Sequence, residues 1–336
     1  MTTTLLMSEI FAATVLCMVL IVLLRPLLIR YALARPNARS SHKVPTPQGG
    51  GIAVVGATLL VAVVAALLPP SSHPIGSDLG LLAAATVLLA ALGAVDDVHP
   101  LAVSLRLGIQ FIAVALLTAT LPADVPILGI LPNAVERVLV VVAVMWFVNL
   151  VNFMDGLDWM TVAEVVPVSA ALMIFGALGA LPWVGVTVAA ALLGAMIGFG
   201  PFNRPIARLF LGDVGSLPIG LILAFLLVRL AAAGHLAAAV LLPGYYLADA
   251  TLTLARRLME GERVWEAHRT HFYQRATDGG FTVMEVVSRV FAVNVGLALL
   301  GLATVIWPTR GLTVAALCGG GILVGGLLVV FARGRA

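Results

Sequence analysis

A chain of 336 residues that is 61% hydrophobic and only 10% charged, with a mean hydropathy of +1.11, falls outside the soluble globular class, whose charged fraction is about 25%. Its formal net charge of +3 says little by itself, and no nucleic-acid partner is expected. Cys17 and Cys318, the only cysteines, lie inside apolar runs and read as small hydrophobes, with no disulfide framework or zinc cluster.

Lipid offers no hydrogen bonds, so spanning segments are helices or closed barrels. The continuous apolar runs fit helices and do not alternate as strands of about 10 residues would. The expectation is an all-α integral membrane protein, one polytopic domain over 1–336. The first run, Leu5 to Ile29, is too long for a signal-peptide core and reads as a retained span. Eleven stretches are expected to cross, at 5–28, 51–69, 79–95, 101–121, 137–154, 161–181, 183–200, 215–233, 236–255, 287–307 and 311–331. Arg106 and Arg229 sit within this set and are expected to snorkel to the interfaces. Alternate threading puts sixteen of the nineteen Lys and Arg residues on one side. That side is therefore cytoplasmic and the N-terminus outside, in a multi-pass cytoplasmic (inner) membrane protein.

The polar segments follow in chain order, all on the cytoplasmic side. From Arg35 to Gly51 a basic loop ends in His42, Lys43 and a Pro- and Gly-rich turn, a candidate diphosphate contact or a plain positive-inside loop. Asp96 and Asp97 end the third stretch. Adjacent carboxylates there suit a divalent cation or a phosphate reaction, and about 100° between neighbouring helical residues gives them separate jobs. Asn149 and Asn152 share a helix face, and Asp155-Gly156 reads as a helix break with glycine at positive φ, followed by Asp158. Such oxygens suit magnesium, against an interhelical hydrogen-bond cluster. The 199–216 loop carries Asn203, Phe210, Gly212, Asp213 and Gly215. Its glycines would let backbone approach a ligand, a helix starting at Ser216 favours phosphate, and Asp213 reads as a metal ligand or an ordinary N-cap.

Asp249 is a carboxylate within the ninth stretch, facing inward as a structural partner or site residue. The 265–275 segment reads as an amphipathic interfacial helix with His268, His271 and Arg275 on one face, donors for phosphate or contacts for anionic lipid. The glycines near 319–326 read as helix packing.

Taken together, His-Lys-x-Pro-Thr-Pro-x-Gly-Gly, Asp-Asp, Asn-x-x-Asn-x-x-Asp-Gly-x-Asp, Phe-Leu-Gly-Asp-x-Gly-Ser and the late His-containing loop resemble the polyprenyl-phosphate N-acetylhexosamine-1-phosphate transferase family. The resemblance runs from His42 to Arg275 with the motifs in order. It implies a magnesium-dependent glycosyl-1-phosphate transferase, with manganese as substitute, in which undecaprenyl phosphate attacks the sugar-bearing phosphorus of a UDP-N-acetylhexosamine and releases UMP. It implies Asp213 as principal metal ligand with Asn152 beside it, and Asp96 and Asp97 on the lipid phosphate. Asn152, Asp155 and Asp158 would line the nucleotide pocket, Asn203 and Phe210 the uracil, and Lys43 the phosphates. His268 and His271, with Arg269 and Arg275, would contact diphosphate or sugar. His-Arg-Thr-His departs from the consecutive histidines of the peptidoglycan branch and is closer to enzymes that start O-antigen chains. A homodimer is common in the family.

Two other classes share some of these features. A transporter would place its polar groups near the bilayer midplane, often in repeated halves. A CDP-alcohol phosphotransferase would need Asp-Gly-x-x-Ala-Arg, whereas Asp155-Gly156 continues Leu-Asp-Trp-Met.

Overall fold

The computed structural model describes residues 3–34, 45–67, 77–121, 127, 129, 131–264 and 268–335. His42 and Lys43 lie outside the described residues. The order is α1 (Thr3–Tyr31), β1 (Leu33–Ala34), β2 (Thr46–Pro47), α2 (Gly51–Leu67), α3 (Ser77–Val98), α4 (Val103–Thr118), α5 (Asn133–Met154), α6 (Met160–Ala177) and α7 (Trp183–Asn203). It continues with α8 (Asp213–Ala232), α9 (Leu236–Leu241), α10 (Gly244–Met259), α11 (Phe272–Asp278), α12 (Val283–Ile306) and α13 (Arg310–Arg333). Among the described residues, eight helices are long and apolar enough to cross a membrane, and α2 and α4 are apolar but shorter. The protein is a multi-pass helical membrane protein.

The ninth apolar stretch is two helices, not one. Pro243, at the junction between α9 and α10, has no N–H for an intrahelical bond and its ring crowds the preceding turn. The 265–275 expectation also changes. Residues 268–270 are not helical, 265–267 lie outside the described residues, and α11 begins only after His271.

Two helices form the centre. The most apolar windows of α7 and α8 are 83% and 89% buried, against 22% for α1 and 28% for α12. Around them, α3 and α5 flank α8, while α1, α2 and α6 flank α7. In lipid, close packing rather than hydrophobic exclusion drives helix association, which favours small residues at contacts. A Cβ on Gly194 would lie 2.2 Å from the Ile10 carbonyl oxygen, and one on Gly198 2.5 Å from that of Thr14. The matching order of these pairs makes α1 and α7 parallel.

The same device draws one end of the bundle together. A Cβ on Gly51 would meet the Gly215 Cα at 2.2 Å, and one on Gly93 the Asp213 carbonyl carbon at 2.3 Å. Glycine at 215 thus serves a helix contact, where close approach to a ligand had been expected. β1 and β2 pair antiparallel, Leu33 with Pro47 and Ala34 with Thr46. The chain then runs beside the loop before α8, with Phe210 N–H donating to Pro47 O at 2.9 Å and Gly50 N–H to Phe210 O at 2.9 Å.

Candidate active site

The C-terminal ends of α3, α5 and α7 and the N-terminal end of α8 meet at this glycine-packed end. The eighth helix starts at Asp213, not at Ser216. Gly212, at φ +78°, makes the turn into it, in a region open to glycine without strain. Asp97 supplies the missing cap from another helix: its Oδ1 accepts from Asp213 N–H at 2.9 Å and its Oδ2 from Val214 N–H at 3.1 Å. A carboxylate at a helix N-terminus satisfies orphan amides and complements the positive end of the helix dipole. The Gln48 side-chain amide also donates to Asp97.

Asp96 takes other partners. Its Oδ1 accepts from Leu101 N–H at 2.7 Å, and its Oδ2 pairs with Arg106 Nη1 at 2.9 Å. Arg106 had been expected to snorkel, as had Arg229; each is held by an ion pair, the latter to Asp78. Each guanidinium is mostly buried beside its carboxylate, and charge-assisted pairing of this kind is among the stronger hydrogen bonds.

Asp213 points to α5. Asn152 Nδ2 donates to Asp213 Oδ1 at 2.7 Å and to Ser216 Oγ at 2.9 Å, and Ser216 is buried. One helical turn earlier, Asn149 donates to Gln110 Oε1 at 2.8 Å. Asp155, just past the end of α5, accepts from the Thr161 hydroxyl. Burial pushes the Asp155 carboxyl up to about 8; the Thr161 bond opposes this, and the charges of Asp213, Asp97 and Asp158 add to it. Gly156 does not have the expected positive φ. Glycine is needed there because a Cβ would lie 2.0 Å from the Tyr273 hydroxyl; the left-handed residue is Trp159, at φ 64°.

Asp158 and Asn203 are both buried and hold the loops. Asp158 Oδ2 accepts from Ala207 N–H at 2.9 Å, Asn203 Oδ1 from Trp159 N–H at 2.8 Å, and Asn203 donates to Leu209 O at 3.0 Å. Phe210 is half-buried on the strand-like contact with Gln48.

The late loop closes the site. Asp249, fully buried, accepts from Phe272 N–H at 3.0 Å and Tyr273 N–H at 3.1 Å. It caps α11, which is why that helix starts where it does. His271 Nδ1 lies 3.2 Å from Asp249 Oδ1, and the His268 and His271 rings are 4.9 Å apart. Arg269 pairs with Asp278 at 3.1 Å, and the Arg275 guanidinium lies 5.9 Å over the Phe272 ring.

A cavity of about 520 Å³ unites these groups. Its polar lining is Arg106, Asn149, Asn152, Asp213, His268 and His271, and its apolar lining includes Val103, Leu107, Met145, Trp146 and Leu254. Asp96, Asp97, Asp155, Arg269 and Arg275 do not line it; Asp96 reaches it through its ion pair with Arg106 and Asp97 through its cap on Asp213. Sequence reasoning gave Arg106 no role here; its signal was a cation in an apolar stretch, ten residues after Asp96.

The donor set fits a magnesium ion. Asp213 lines the cavity, and Asp97 and Asp96 both act on it electrostatically, a concentration of negative charge that a cation would neutralise. Among the described residues no three His, Cys, Asp or Glu side chains form a cage. Magnesium is commonly held by one or two carboxylates plus substrate phosphates and water.

The description glycosyl transferase family 4 matches residues 79–231, the segment from α3 to α8 that carries Asp96, Asp97, Asn152 and Asp213. Similar proteins include the decaprenyl-phosphate N-acetylglucosaminephosphotransferases of Mycobacterium tuberculosis strain H37Rv, 27% identical over 88% of this chain and 80% of the relative, and of Mycobacterium leprae, 26% identical over 89% and 83%. That of Mycolicibacterium smegmatis is 28% identical over 86% and 79%. With its motifs gathered on one cavity, the chain is similar over most of its length to polyprenyl-phosphate N-acetylglucosamine-1-phosphate transferases, and its 79–231 segment matches glycosyl transferase family 4.

Proposed function

We propose that this protein transfers an N-acetylhexosamine-1-phosphate from a UDP-sugar to a polyprenyl phosphate, releasing UMP and starting a cell-envelope polysaccharide. The observation that carries this reading is one cavity lined both by Asp213, Asn152, Arg106 and two histidines and by apolar side chains. A lipid-linked phosphate needs both kinds of lining. The relatives favour N-acetylglucosamine as donor sugar and decaprenyl phosphate as acceptor, over undecaprenyl phosphate and the modified sugars of an O-antigen pathway.

In the reaction, an oxygen of the lipid phosphate bonds to the sugar-bearing phosphorus as its bond to the UMP oxygen breaks. Phosphoryl transfer asks for positioning and charge neutralisation more than covalent help. Asp213, fixed by Asn152 and by the Asp97 cap, would hold magnesium, which supplies neutralising charge to the diphosphate. Arg106 binds the incoming lipid phosphate while Asp96 holds the guanidinium from the other side, and through it orients that phosphate. His268 and His271 donate to diphosphate or sugar oxygens. Asp158 and Asn203 act by holding the loop that carries Phe210.

Eleven crossings, an N-terminus outside and a cytoplasmic site complete the proposal. The parallel run of α1 and α7 supports it, because parallel helices need an even number of reversals between them. Prenyl-dependent UMP release from a panel of UDP-N-acetylhexosamines, with decaprenyl and undecaprenyl phosphates, tests the reading. Release that needs magnesium and disappears in Asp213→Ala is the expected result. UDP binding without release from any donor would overturn it.

A further inference from the structure

We propose that Asp249 is a positioning residue that fixes the tautomer and the direction of His271, an inference whose kinetic arm rests on the transferase reading above. Both oxygens of this fully buried carboxylate face donors. Oδ1 accepts from Phe272 N–H at 3.0 Å and Oδ2 from Tyr273 N–H at 3.1 Å. The Tyr245 hydroxyl donates to Oδ2 at 2.9 Å and the Thr253 hydroxyl to Oδ1 at 3.3 Å. Backbone amides can only donate, so the carboxylate is an acceptor on both sides. His271 Nδ1, 3.2 Å from Oδ1, therefore carries a proton toward it, and Nε2 is the nitrogen presented to the cavity that His271 lines.

The ring plane is fixed as well. Tyr273 stacks on His271 at 5.7 Å and 21°, and Phe153 lies at 6.5 Å and 31°. Among the described residues, His268 shows no such grip: its Nδ1 has a 3.5 Å contact with the Thr270 hydroxyl. The two histidines are thus unequal, one locked and one adaptable. Tyr245 is itself braced, with the edge of Phe331 from α13 at 6.4 Å and 90°. An imidazole whose Nδ1–H rests on a carboxylate has a fixed tautomer and a fixed ring direction. Nε2 of His271 is then the site's oriented proton acceptor, or donor once protonated, toward a phosphate or sugar oxygen.

The test uses the full-length protein in detergent, with UDP-N-acetylglucosamine, decaprenyl phosphate and magnesium. Asp249→Asn should lower kcat on the order of 10- to 100-fold with KM little changed. In the double variant with His271→Gln the rate should be no lower than in His271→Gln alone. Losses that multiply, or an Asp249→Asn enzyme at wild-type kcat, would overturn the inference. Should that variant not fold, Tyr245→Phe removes one bond to the same carboxylate. Its kcat loss should be several-fold in the wild-type background and absent in the His271→Gln background; an equal loss in both overturns the inference. A second arm needs no turnover. In 15N-histidine spectra at alkaline pH, the resonance missing from His271→Gln should show a protonated Nδ1 and a bare Nε2. The opposite tautomer overturns the inference, whereas a wild-type protein with the expected tautomer and no UMP release from any donor would refute only the transferase reading.

Discussion

Replacing Gly93 by alanine should disable the site without removing a polar side chain. The added Cβ would lie 2.3 Å from the carbonyl carbon and oxygen of Asp213 and 2.4 Å from Val214 N. Carbon contacts settle near 3.5 Å, so α3 must withdraw from α8 by about 1.2 Å. Asp97 lies four residues on, on the same face of α3, and moves with it. Its bonds to the α8 amides, now 2.9 and 3.1 Å, would stretch to about 4 Å, outside hydrogen-bond range. Overpacking costs about 1–3 kcal/mol, and each lost charge-assisted bond about 1.5–3 kcal/mol. Because Asp213 opens α8 and loses the Asp97 cap that fixes it, a misplacement near 1 Å should lower kcat on the order of 100-fold. Gly80→Ala is the control, in the same helix with nothing within 4 Å of its Cβ. Thermal unfolding in detergent and UMP release read both effects. A Gly93→Ala protein with the melting temperature and rate of Gly80→Ala would refute the reasoning.

Further outcomes can be stated briefly. Asp155 is pushed up to about 8 from 3.8, so without metal and substrate the folded protein keeps a proton that the unfolded chain loses. Its contribution to stability is full below about 3.8 and lost as pH rises toward about 8. Asp155→Asn should therefore flatten the fall in melting temperature across that window and raise it at pH 8; parallel curves would count against this. Arg106→Gln should raise KM for the lipid phosphate far more than for the UDP-sugar, by on the order of 10-fold, in steady-state kinetics. Arg229 bonds Asp78 and the Thr120 carbonyl, the latter at 2.7 Å, far from the cavity. Arg229→Leu should lower stability by about 1–3 kcal/mol with kcat unchanged, measured by unfolding and by UMP release.

Much of the plan was legible because bilayer physics is written into composition. Every apolar stretch named from the sequence is occupied by helix, and the residues Asp213, Asn152, His268 and His271 do share one cavity. Local chemistry could not say which polar atoms bind each other. Asp96 and Asp97 are neighbours in sequence, yet one grips Arg106 and the other the start of α8. Gly156 and Gly215 looked like flexible or ligand-facing positions and are instead points where a Cβ would strike another element.

The sequence by itself determined the membrane class, most of the helices, the side bias of basic charge and several of the polar residues that share the cavity. It did so because periodicity, hydropathy and motif spacing are properties of neighbours along the chain. The tertiary structure alone decided the late start of α11, the cap that Asp97 gives to α8 and the grip of Asp249 on His271. Each of those depends on a partner tens to more than a hundred residues away or on which backbone groups are left unsatisfied, and only the packed bundle fixes that.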